Sequence, residues 1–165
     1  MKRRNFIQIA GGLLAFSALP VAARTARPRV LILGDSISMG YTPHVKDLLK
    51  DVADVTRPDE NCQGTTHGIA NITKWLGDGQ WDVIHFNFGL HDIKHVDPVT
   101  RENSNKDGDP PQADLKAYTR NLTAITKQLR ATGAKLIFAT TTPFPDKPDG
   151  PVRRFEDVLR YNKSA

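Results

Sequence analysis

Three short segments hold the residues whose types and spacing suit chemistry. The first is Gly34-Asp35-Ser36-Ile37-Ser38. A Ser at a strand-to-helix turn can project its Oγ outward as a nucleophile. Its own backbone N–H, near a helix N-terminus, can face a developing oxyanion. Taken alone, the segment is better read as a plain turn with a Ser helix cap. The second segment is Asn61-Cys62-Gln63-Gly64-Thr65-Thr66-His67-Gly68. Gly64 can offer an unobstructed N–H there, or simply close a flexible loop. The third is Asn87-Phe88-Gly89-Leu90-His91-Asp92, otherwise a strand end with a turn Gly and a solvated His–Asp pair.

The elements around these segments decide between the readings. Val30 to Leu33 is a compact apolar run ended by Gly34, the pattern of a strand buried on both faces. Val45, Leu48 and Leu49 share one face of a helix over 43–51, and 52–56 follows as a second strand. Ile69, Ile72, Trp75 and Leu76 predict a helix over 68–76, stopped by Gly77-Asp78-Gly79. Residues 81–88 form a third strand and 92–112 a long polar loop. Leu115, Tyr118, Leu122, Ile125 and Leu129 stripe a helix over 114–132. Residues 136–139 read as a fourth buried strand and 143–151 as a Pro-rich loop. A last helix starts at Phe155, with Phe155, Val158 and Leu159 on one side. Alternating strands and helices predict right-handed βαβ units and a parallel sheet covered on both faces. Ligands of such sheets sit beyond the carboxyl ends of the strands, where all three segments fall.

Three such segments in this order resemble the SGNH (GDSL-type) hydrolase family, over roughly residues 29–165. The resemblance implies a three-layer α/β/α, flavodoxin-like domain and ester hydrolysis without a cofactor or metal. Ser36 would be the nucleophile, and its N–H, the Gly64 N–H and a third group would form the oxyanion hole. Gly89-Leu90-His91-Asp92 departs from the family's Gly-x-Asn-Asp, so His91 stands where the Asn donor belongs. An imidazole can also donate a hydrogen bond, which makes His91 the expected third donor and Asn87 a weaker substitute. Asp35, Asn87 and His67 are further candidates for touching substrate. Later features agree: the Thr140-Thr141-Thr142-Pro143 strand end and the Gly-Leu-His-Asp variant look like an exported bacterial branch. The family's Asp-x-x-His, which supplies the base and its orienting carboxylate, has no match between Thr142 and Ala165. Asp92-Ile93-Lys94-His95 has that spelling but directly follows the third segment, where the family's Asp is structural. The last helix meets no stop signal, so the chain reads as a fragment lacking its final strand and helix.

Composition bounds the rest. One Cys, Cys62, excludes a disulfide scaffold and a Cys-based zinc site. His91 and His95 are spaced like metal ligands on a helix, but they lie in loop sequence with one nearby carboxylate. Lys2, Arg3 and Arg4, an uncharged apolar run over 6–20 and Val21-Ala22-Ala23 make residues 1–23 an export signal of twin-arginine type. The run is too short to span a membrane. Residues 24–28 are a linker to the domain at 29–165, and the mature protein is expected in the periplasm or outside the cell. The signal holds three of the 23 basic residues, so removing it leaves 20 against 18 acidic ones. No basic stripe interleaved with aromatics is present, which argues against a nucleic-acid partner. The expected partner is a small-molecule or glycan ester, with an acetylated carbohydrate favoured by export and polar loops. The rival readings are a non-catalytic carbohydrate- or ligand-binding remnant of the same fold and a nucleotide binder. The latter is opposed by the missing Gly-x-Gly-x-x-Gly and Gly-Lys-Ser/Thr patterns.

Overall fold

The computed structural model describes residues 26–144 and 150–165. The expected export signal and the first two linker residues lie outside them. Among the described residues no helix is long and apolar enough to cross a membrane.

The elements follow one another as β1 (Arg29–Leu33), α1 (Ser36–Leu49), β2 (Asp54–Thr56), α2 (Thr65–Leu76), β3 (Val83–Phe86), α3 (Leu115–Ala131), β4 (Lys135–Phe138) and α4 (Phe155–Ser164). The strands form one parallel sheet in the order β2-β1-β3-β4. The fold class is thus the one expected, a parallel sheet between helical layers. The register sets Leu31 beside Ile84 and Leu33 beside Phe86. These side chains share one face and pack with Ile72 and Trp75 of α2 and with Tyr118, Leu122, Ile125 and Leu129 of α3. Burying each large side chain contributes about 1.5–3 kcal/mol. The opposite face, with Ile32 and His85, meets α1, where Tyr41 lies edge-on to His85 at 6.1 Å between ring centres. α4 leans on α3 through Tyr118 and Tyr161, whose rings are 4.9 Å apart.

Three elements differ from the sequence reading. α1 begins at Ser36, seven residues before the apolar spacing starts, despite Gly40 and the internal Pro43. Polar bonds hold its first turns. The Asp35 carboxylate accepts from Ile37 N–H at 2.9 Å, and the Ser38 and Thr42 hydroxyls donate to the carbonyls of Asp35 and Ser38. Its buried residues are Ser38 and Thr42, whereas Leu48 is 82% exposed. In α4 the buried pair is Val158 and Tyr161, while Phe155 and Leu159 are exposed. The 92–112 segment is pinned rather than open. Bridges join His95 to Pro111 and Val96 to Asn103, and Ile93 and Val96 are buried beneath it.

Candidate active site

All three segments lie at the carboxyl end of the sheet. β1 ends at Leu33, and Ser36 opens α1 as an exposed residue. Neither its Oγ nor its backbone N–H has a partner among the described residues. Asp35 is buried beside it as the helix cap. Burial pushes its carboxyl above the usual range, against the pull of the Ile37 N–H and the charge of Arg153.

Gly64 is the N-cap of α2, and its N–H is likewise unpartnered among the described residues. A Cβ at Gly64 would lie 2.9 Å from Asp92 Oδ2, so only glycine fits. Asp92 is fully buried and accepts from Thr65 N–H at 2.9 Å and from Thr65 Oγ1 at 2.5 Å. The third segment thereby grips the residue after Gly64 and fixes how α2 begins. Desolvation pushes the Asp92 carboxyl up to about 6, against the lowering effect of the two Thr65 bonds. Gly89 opens the third segment with φ +148°, and a Cβ there would lie 1.8 Å from Thr141 Oγ1.

His91 follows in that segment. Its Nδ1 is buried with no partner among the described residues. Burial, helped by the positive charges of Lys94 and Arg153, pushes the imidazole down to about 4, so the ring is neutral at pH 7. An unsatisfied buried lone pair is less costly than an unsatisfied buried N–H. That favours the tautomer carrying its proton on Nε2, a donor without positive charge.

The other candidates stand apart in their bonding. The Asn87 amide donates to the carbonyls of Ala139 at 2.7 Å and Thr140 at 3.0 Å, tying the end of β3 to the end of β4. His67, in the first turn of α2, lies with Nε2 3.7 Å from Glu60 and its ring 5.8 Å from Trp75. His95 is buried with Nδ1 3.3 Å from the Lys106 carbonyl, inside the folded 92–112 segment. His85 faces Tyr41, with 3.4 Å between Nδ1 and the phenol oxygen. Cys62 is a fully buried packing residue whose N–H donates to the Gly34 carbonyl at 3.2 Å. Among the described residues no group of His, Cys, Asp and Glu could hold a metal ion.

Two residues that motif reading passed over complete the frame. Gln63 has φ +52°, a left-handed conformation that turns the chain into Gly64 and is supported by a bond from its N–H to Asn61 Oδ1. Arg57 reaches under the turn that carries Ser36. Its Nη2 lies 3.3 Å from Ser38 Oγ, 3.2 Å from the Glu60 carbonyl and 3.5 Å from the Gly34 carbonyl. It thus ties the first segment to the loop that leads into the second. The only sequence signal for Arg57 is a cation directly after a strand.

No family profile matches the chain, and no curated protein matches it. Solved structures do. An acetyl xylan esterase, AlAXEase, superposes with a TM-score of 0.64 at 16% identity, covering 82% of this chain and 69% of that one. A GDSL-like lipase from Bacteroides thetaiotaomicron gives 0.55 at 16% identity, over 83% of this chain and 59% of the other. A family 3 carbohydrate esterase from Clostridium thermocellum gives 0.53 at 17% identity, over 84% and 69%. The chain has the fold of these proteins and spans about two thirds of their length.

Proposed function

We propose that this chain is the nucleophile-bearing part of an exported serine ester hydrolase of SGNH type, acting on an acylated carbohydrate. The observation that carries the reading is that unpartnered N–H groups on Ser36 and Gly64, an exposed Ser36 hydroxyl and a neutral His91 all lie in loops at the carboxyl end of one parallel sheet. Ser36 Oγ attacks the ester carbonyl carbon and gives up its proton to a base. The carbonyl oxygen becomes an oxyanion facing the two N–H groups and the His91 ring. Collapse expels the alcohol, which takes a proton from the base, and leaves an acyl-Ser36 that water clears. No described side chain hydrogen-bonds Ser36 Oγ. The reading therefore assigns the base to a group outside the described residues. The carbohydrate part of the proposal draws on the acetyl xylan esterase and the carbohydrate esterase that share the fold.

The same lack of a described base favours a second reading, a carbohydrate-binding protein that retains the crevice without turnover. A fluorophosphonate probe separates the two, because it labels only an activated Ser. The expected result is stoichiometric labelling at Ser36 in a longer chain carrying an Asp-x-x-His, absent in Ser36→Ala. Residues 24–165 alone should hydrolyse p-nitrophenyl acetate little faster than buffer. Failure of the longer chain to label would leave the binding reading in place.

A further inference from the structure

Two cations beside the third segment form no ion pair among the described residues. Arg153 lies just before α4, and its Nε donates to the Leu90 carbonyl at 2.9 Å. This anchors the guanidinium on the third segment, one residue before His91. Its two Nη groups meet no acceptor among the described residues. Lys94, three residues after His91, forms no ion pair among the described residues. Both are half-buried. The Arg153 charge acts on Asp35, His91 and Lys94 together, which sets it beside the nucleophile turn as well as the third segment. Asp35, the carboxylate whose charge acts on Arg153, is engaged as the cap of α1 and forms no ion pair with it.

Both cations keep part of their surface in water and neither forms an ion pair among the described residues, so both remain available to an incoming anion. Arg153 retains two Nη groups in the planar fork that matches a carboxylate. We propose that the ester taken by this site carries a carboxylate near the scissile bond, held by Arg153 with Lys94 as the second cation. This rests on the ester-hydrolase reading above and narrows its substrate to an acidic one, such as an acyl ester on or beside a uronic acid. The field of the two cations also steers such an anion into the crevice.

The test is equilibrium binding of monomethyl succinate, an ester with one carboxylate, against dimethyl succinate, the neutral diester. Binding is followed by NMR of the ¹⁵N-labelled protein, including the Arg Nε–H region. The monoester should bind at least about tenfold more tightly, as expected for a charge-assisted bond, and should shift the Arg153 Nε–H signal. Arg153→Gln should remove the preference, Arg153→Lys should restore part of it, and Lys94→Gln should reduce it, each with an unchanged far-UV spectrum. Equal affinities, or a preference that survives in Arg153→Gln, would overturn the proposal. Ser36→Ala must keep the preference. A failure of fluorophosphonate labelling with the preference intact would count against the hydrolase reading and not against the anion subsite.

Discussion

On the proposed reading, His91 takes the place of an amide donor, and its protonation state decides whether it can. With its ring held near pKa 4 it is neutral through the range where hydrolases work, so it donates without titrating. In protein that turns over an ester, His91→Ala should lower kcat about 10²–10³-fold, with a smaller effect on KM. His91→Asn should retain most of the rate, and the pH–rate profile should show no limb that disappears in His91→Asn. For stability the sign runs one way: the folded ring resists a proton that the unfolded chain binds below about 6.5. Stability from this residue is present above that pH and is lost as the pH falls towards 4. That Ser36, Gly64 and His91 lie at the carboxyl end of the sheet was legible in sequence because each follows a strand of a parallel sheet. Arg57, Gln63 and Arg153 were not, because their roles come from carbonyls they meet only in the folded chain.

Among elements, α2 depends on a residue it does not contain. Asp92 holds its first turn through Thr65 while fully buried, with its carboxyl near 6 against an ordinary value of 3.8. That raised value means stability is fully present below about 3.8 and is lost as the pH rises through 6, by about 3 kcal/mol. Asp92→Asn should flatten the dependence of melting temperature on pH between 4 and 7. A slope unchanged in Asp92→Asn would show the wrong group was chosen. Gly89→Ala places a methyl where Thr141 Oγ1 already sits and should destabilise by about 1–3 kcal/mol in urea unfolding. The apolar stripe of α3 and the run of β1 were readable because apolar side chains decide their packing, whereas the apolar run of β4, expected to be buried, forms an edge strand with Ile137 exposed. The first half of α1 was not, since Gly40, Thr42 and Pro43 hide a helix that capping and buried hydroxyls hold together.

Over the whole molecule the packing is uneven. One sheet face is filled by α2 and α3, while on the other α1 packs over β1 and β2. β4 is an edge strand, bonded to β3 alone among the described residues, and its Ile137 is 45% exposed. Unpaired strand edges with apolar side chains template association. Sedimentation of this chain should show concentration-dependent self-association that Ile137→Lys suppresses. A monomer at every concentration would contradict this. The parallel architecture was readable from the order of elements, but how far each face is covered was not, because coverage depends on helix placement.

The end of β4 carries a substitute neighbour. Asn162 of α4 accepts from Thr141 N–H at 2.8 Å and donates to the Thr141 carbonyl at 2.9 Å, as a paired strand would. The Thr141 amide therefore exchanges with solvent deuterium only when α4 lifts away. Its protection factor is a clock for that opening, readable at one amide, and it should drop in Asn162→Ala while the amides of β1 keep theirs.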